Sequence, residues 1–307
     1  MKWVKKGLVF CPQALSECMQ SYARMPTVLK ISSSVYRIYF ESRSAKNTAY
    51  PFFLDYEILS GKIIDMSSEP LLQYGPMGTF DDNGITPFSV LRVQDEIWLY
   101  YVGWNLEVKV PFSNAIGLAI SKDNGRTFSK VSQGPILARD IYDPYFPTGP
   151  LVLYDGLIFK MWYTSFEKWE NQGDGIKHYY NIKYRESKDG VFWQTPPQVA
   201  IDFESHHEYA FVCRSVLVDP DGLHRMWYSF RAQATIETYR LGYAESYDGL
   251  HWIRKDHLMR DFDVSSEGWD SEMICYPHVF TCNDNVYMLY NGNKYGKTGF
   301  GLALLES

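Results

Sequence analysis

The sequence predicts an all-β chain folded as one five-bladed β-propeller. Three observations carry that expectation: sequence markers that return about every sixty residues, four short strand patterns within each repeat, and chain ends that complement each other. The chain has 307 residues, enough for two ordinary domains, but large all-β folds often run this long as one. Residues 1–307 are therefore read as a single domain. Apolar residues make up 46%, enough for a sizeable core, and aromatics 17%, with 24 Tyr. Aromatic and β-branched enrichment favours strands.

The first marker is AISKDNGRTFSK, RESKDGVFWQ and AESYDGLHWIR, each running Ser, Asp, Gly, aromatic. Its serines are Ser121, Ser187 and Ser246, with Ser60 and Ser307 in step on either side. The second marker puts Tyr101, Tyr163, Tyr228 and Tyr290 in register, with Phe40 in the first repeat. The third opens an apolar strand at Pro26, Pro87, Pro150 and Pro277, where the fourth repeat has Arg214. Within the third repeat, PLVLY, LIFKMWYT, HYYNIKYRES and VFWQ are separated by turn signals such as DG and KDG. Short strands without an amphipathic helix read as all-β, and repeated four-stranded units read as blades. The last repeat stops at LALLES, after its third strand, and MKWVKKGLVF resembles the missing fourth. The blades are then 20–74, 82–140, 145–201, 208–260, and 272–307 completed by 1–10, which leaves no exposed sheet edge.

Net charge is −6, so there is no general basic footprint and no nucleic-acid partner is expected. Five Cys without a CxxC pair suggest neither a disulfide framework nor a zinc site. No apolar run approaches a membrane span, and the amino-terminal one is too short for a signal-peptide core. A cytoplasmic protein with no membrane partner is expected.

Strand direction sorts the loops onto two faces. The bottom turns (SSS, QDE, YDG, PDG, NDN) are short, and their Asp, Asn and Gly follow from turn chemistry. The top loops, among them ESRSAKNTAYP, VGWNLEVKVPFSNA and SFRAQATIETYR, are long and carry Arg, Lys, Trp and Asn. Long loops at one end of a rigid scaffold are where binding and catalysis concentrate. The top crossings also carry Asp82, Glu208, Glu272, Asp140 and Asp143, whereas the first crossing has Ser21 at the aligned position and offers Arg24.

A five-fold repeat with acids at the starts of inner strands resembles the five-bladed propeller glycosidases. These include the arabinanases and β-xylosidases, the invertases and levansucrases, and the mannoside phosphorylases. PHVFTCNDNVYMLYNGNKYGKTGFGLALLES and SVLVDPDGLHRMWYSF…LGYAESYDGLHW carry the likeness. It covers the whole chain as architecture but its catalytic motifs only in part. NDPNG and RDP are absent, ARDIYDPY is an interrupted version, and no EGP-type acid is present. The resemblance implies a site for a small carbohydrate with no required cofactor. In related propellers a channel metal ion sits near a His such as His278; the metal content of this chain is left open.

Glycoside cleavage needs one carboxylic acid to protonate the leaving oxygen and one carboxylate to activate water or attack the anomeric carbon. Asp82, Glu208 and Glu272 are the expected set, with Glu272 as acid and Asp82 as base or nucleophile. The competing reading is that they cap loops or pair with Arg. Arg24, Arg43, Arg214 and Arg231 on the same face are expected to bind a carboxylate or phosphate by forked hydrogen bonds. Trp104 is expected to stack on a sugar face, with Asp143 and His278 also contacting substrate. The expected activity is cleavage or transfer of a glycosidic linkage, of an anionic sugar if the arginines bind it. Two alternatives stay open: a cytoplasmic phosphorylase or sugar transferase, and a non-catalytic propeller binding a glycan or protein.

Overall fold

The computed structural model describes residues 1–173, 175–232 and 236–306, nearly all in strands and turns. Ser307, the last repeat marker, lies outside them. After β1 (Lys2–Phe10), the strands fall into five four-stranded antiparallel groups. The first is β2 (Ser21–Lys30), β3 (Val35–Arg43), β4 (Ala49–Glu57) and β5 (Lys62–Met66). The second is β6 (Ile85–Val93), β7 (Glu96–Leu106), β8 (Phe112–Ser121) and β9 (Ser129–Lys130). The third is β10 (Pro147–Tyr154), β11 (Phe159–Gln172), β12 (Gly175–Ser187) and β13 (Gln198–Ile201). The fourth is β14 (Glu208–Val218), β15 (His224–Ala232), β16 (Ile236–Ser246) and β17 (Ile253–Arg254), joined to the third by one parallel bridge, Tyr180 to Ala210. The last is β18 (Cys275–Cys282), β19 (Asn285–Asn291) and β20 (Phe300–Glu306), with β1 paired along β20 from Lys2–Glu306 to Phe10–Phe300. The first strands of the groups touch in a ring: β2 with β6, β6 with β10, β10 with β14, β14 with β18, and β18 with β2. No helix among the described residues is long and apolar enough to cross a membrane.

The proline marker has a backbone reason. Each first strand breaks its pairing register there: between Arg24 and Thr27, Pro87 and Ser89, Thr148 and Leu151, Cys213 and Ser215, and Cys275 and His278. Proline cannot donate to a ladder, so it sits where a bulge has already interrupted one. Arg214 occupies the fourth bulge.

The tyrosine marker has a polar reason. Tyr101, Tyr163, Tyr228 and Tyr290 are fully buried, so each hydroxyl needs a partner. Each donates to a buried or partly buried Asp that also holds a cation: Asp81 with Lys130, Asp143 with Arg185, Asp256 with Arg254, and Asp270 with Lys5. The first group has Phe40, without a hydroxyl, at the equivalent place.

The Ser-Asp-Gly marker latches each group to the one before. Asp189 accepts the Val191 and Phe192 N–H groups at 2.9 Å, and Ser187 accepts that of Gly190 at 3.0 Å. The Gly190 carbonyl then accepts the Tyr100 hydroxyl of the preceding group at 2.9 Å. Gly125 with Tyr39 and Gly249 with Trp162 repeat the contact. Gly190 holds φ 71°, and a Cβ there would lie 2.6 Å from the Tyr100 hydroxyl and 2.8 Å from Trp98. Gly190→Ala is therefore expected to cost about 2–4 kcal/mol from left-handed strain plus overpacking. Thermal denaturation should show a loss on the order of 3–6 °C; an unchanged melting temperature would mean Tyr100 swings away freely.

Candidate functional site

The ring of first strands surrounds a cavity of about 490 Å³ lined by residues from all five groups. One wall is cationic: Arg24 and Arg43 from the first group and Arg231 from the fourth. The rest of the lining is largely neutral and aromatic, with Phe88, Phe112, Phe166, His178 and Tyr180 from the second and third groups. Tyr22, Tyr239, Tyr276, Tyr295 and Trp104 fill the space between. No described carboxylate lines the cavity.

Backbone strain collects at the same place. Tyr22 (φ 65°), Met25 (φ 55°), Tyr276 (φ 57°) and Tyr295 (φ 61°) all line it. Non-glycine residues in that region cost on the order of 1–3 kcal/mol each and cluster where a site constrains the chain. The bulges of β2 and β18 hold Met25 and Tyr276 there.

One acid stands just behind the cationic wall. Glu41, 1% exposed, accepts from Arg43 Nε at 2.8 Å, from Arg24 at 3.2 Å and from the Thr86 hydroxyl. Burial alone would raise its pKa, but the charges of Arg24 and Arg43 and the Thr86 hydrogen bond outweigh that and hold it below the ordinary carboxylate range. Glu41 thus fixes two guanidiniums without offering a free oxygen to the cavity. Arg43 also donates to Asn47 at 2.7 Å and lies over the rings of Tyr22 and Trp104. Arg231 has no carboxylate partner among the described residues. It donates to the Tyr295 hydroxyl, stacks on Tyr239 at 4.5 Å, and leaves its Nε without a partner. The Tyr180 and Tyr239 hydroxyls hydrogen-bond each other.

Of the residues singled out from sequence, Arg24, Arg43, Trp104 and Arg231 line the cavity. The three expected catalytic acids do not converge there. Asp82 closes its own crossing by accepting from Gly78 N–H at 2.8 Å and Asn105 Nδ2 at 2.6 Å. Glu208 is clamped by both terminal nitrogens of Arg254, at 2.6 and 2.9 Å; burial opposes its ionisation, but Arg254 keeps its pKa below normal. Glu272 is exposed, and its main chain, not its carboxylate, is tied down, to Asn293 and Thr238. Asp143 belongs to the Tyr163 hub, away from the cavity. Arg214 is fully buried and donates to the carbonyls of Met25, Pro26 and Phe88. His278 also misses the lining: its Nε2 accepts from Val28 N–H at 3.2 Å, and burial and then the Arg214 charge push its pKa down to about 3. Among the described residues no cluster of His, Cys, Asp or Glu could hold a metal ion.

Sequence reading missed Glu41, His178, Tyr180, Tyr239 and Tyr276. Glu41 left a signal, since ESR puts Glu41 and Arg43 two apart on one strand face. His178 packs against both Phe166 and Tyr180, whose rings also stack on each other, and burial followed by the Arg231 charge lowers its pKa from 6.5 to about 4. Between those values the unfolded chain binds a proton that the folded chain does not, so stability falls as pH drops through the window. From pH 7 to 5 this group should remove about 1–2 kcal/mol. His178→Phe should lose correspondingly less in urea unfolding at the two pH values; an identical loss would assign the acid sensitivity elsewhere.

No protein-family model matches the chain. Among solved structures it is similar to a glycosyl hydrolase from Bacteroides ovatus, with TM-score 0.70 and 13% identity over 99% of this chain and 94% of that one. It is also similar to an endo-arabinase from Bacteroides thetaiotaomicron, with TM-score 0.64 and 13% identity over 95% and 98%. A thermostable family-43 glycoside hydrolase gives TM-score 0.61 and 18% identity over 92% and 88%. These likenesses establish the fold as that of the propeller glycoside hydrolases. In sequence, "Uncharacterized protein Rv1502" and "Uncharacterized protein MT1551", from two strains of Mycobacterium tuberculosis, are each 40% identical over 310 residues, covering 100% of this chain and of each relative. With identity at that level running end to end, the chain belongs to the Rv1502 family, built on the glycoside hydrolase propeller.

Proposed function

We propose that the five strand groups are the blades of one closed five-bladed propeller domain, and that its central cavity binds an anionic saccharide. The ring of contacts among first strands and the pairing of β1 with β20 support the blade count and closure. One observation carries the ligand assignment: three guanidiniums and a set of aromatic rings share a cavity that no described carboxylate lines. Guanidinium forks match the oxygens of carboxylate and phosphate groups. Flat rings beside polar groups suit a sugar, and the glycoside hydrolases among the structural neighbours support a carbohydrate ligand. Five free cysteines fit a reducing compartment such as the cytoplasm.

The same observation favours recognition over two-carboxylate hydrolysis, which needs an acid and a base or nucleophile facing one bond. Thermal shift against glucuronate, galacturonate, glucose and galactose tests the reading, because a ligand of the folded state raises its melting temperature. Shifts with the uronates and none with the neutral sugars are expected; no shift with any of them overturns it. Turnover of an aryl glycoside only in the presence of phosphate would move the assignment to phosphorolysis. Hydrolysis lost in Glu272→Gln would restore the acid expected from sequence.

A further inference from the structure

We infer that the cavity selects a dianionic group, a phosphate ester on the sugar in preference to a single carboxylate, and that Arg214 beneath the floor sets this preference. The inference rests on the saccharide reading and deepens it. Arg214 is 0% exposed and among the described residues meets no carboxylate; its three acceptors there are neutral carbonyls, and its Nε has no partner among them. Two of those carbonyls belong to Met25 and Phe88, which line the cavity floor, and the guanidinium lies over the Phe88 ring at 4.7 Å. A buried charge without a counter-ion is costly and persists where something compensates it. Proline stands at the equivalent place in the other four repeats, so the fold itself does not require a cation there.

The charge count sharpens the point. Arg24, Arg43, Arg231 and Arg214 bring four positive charges to the cavity and its floor, and among the described residues Glu41 is the one carboxylate paired with any of them. The formal excess is three. A monoanion leaves two of those charges unmet in a poorly solvated space, whereas a phosphate near −2 leaves one. Arg214 acts through its field and by holding the Met25 and Phe88 carbonyls away from the ligand, not by direct contact. It is a specificity-determining residue in that sense.

Isothermal titration with glucose, glucuronate, glucose 1-phosphate, mannose 1-phosphate and inorganic phosphate tests this. The sugar phosphates are expected to bind at least tenfold more tightly than glucuronate. Arg214→Met should weaken glucuronate about fivefold and the sugar phosphates by about the square of that, so that the ratio shrinks about fivefold with glucose losing least, and Arg214→Lys should restore most of it. Circular dichroism and melting of both variants separate misfolding from lost selectivity. Equal affinity for glucuronate and the sugar phosphates overturns the inference and leaves the saccharide reading intact, as does an equal loss for every ligand in Arg214→Met. Binding of inorganic phosphate with no sugar bound overturns the saccharide reading while upholding the dianion preference. Binding of none of the five overturns both.

Discussion

Asp143→Ala is expected to destabilise the protein by about 3 kcal/mol or more. Asp143 is fully buried and accepts from Arg185 at 2.6 Å, Ser165 at 2.6 Å, Tyr163 at 2.8 Å and Lys183 at 3.1 Å. Removing it takes an acceptor from four buried side chains. The loss stays near the lower end for a broken buried pair because Arg185 keeps Asp140 at 2.8 Å and Lys183 keeps Glu167 at 2.8 Å. Both remaining acids are partly exposed, at 32% and 36%, so they hold charge less strongly. Asp140→Ala, the control, should cost under about 1 kcal/mol. Chemical denaturation of the two variants measures the contrast. Similar losses would mean that the hub's stability resides in Asp140. Binding of an anionic sugar should survive in whatever fraction of Asp143→Ala remains folded, since Asp143 lies outside the cavity.

This hub shows why the fold was legible in the sequence and the site only half so. Turn glycines, bulge prolines and buried tyrosines each serve a local backbone or packing need, so they recur with the strand pattern and can be read from spacing alone. Periodic acids invite the same reading as chemistry. Here Asp81, Asp143 and Asp270 each stand 20 residues before the buried Tyr that they satisfy, Asp256 serves Tyr228 from 28 residues after it, and Asp82 and Glu208 are tied to local partners. Periodicity in a repeat fold marks what every blade needs. A single central cavity is built from what the blades do not share. Arg24, Arg43 and Arg231 were visible because strand direction places them on the face where the long loops gather. Arg214 broke it too, but its depth depends on bulge geometry that no spacing encodes. Glu41, His178 and Tyr276 come together from different blades, and only the ring of first strands sets that juxtaposition.

Arg231→Met is expected to lower affinity for an anionic sugar by roughly 10- to 100-fold, from one charge-assisted hydrogen-bonding group worth about 1.5–3 kcal/mol. Arg231 is the cleanest probe of the cationic wall because it carries no counter-ion among the described residues. Methionine keeps much of the stem packed on Tyr239 and Tyr295 and leaves no buried acid behind. With no carboxylate left unpaired, the folded state should tolerate the change with little loss of stability. Arg24→Met behaves differently: it strips one of two cations from the buried Glu41, so part of its effect is instability, not lost recognition. Titration of glucuronate and glucose into both variants, beside their unfolding curves, separates the two roles. A selective loss for glucuronate in Arg231→Met, weakening further as salt is raised, assigns the anion to this guanidinium. An equal loss for glucose would make Arg231 a wall of the cavity instead of its charge.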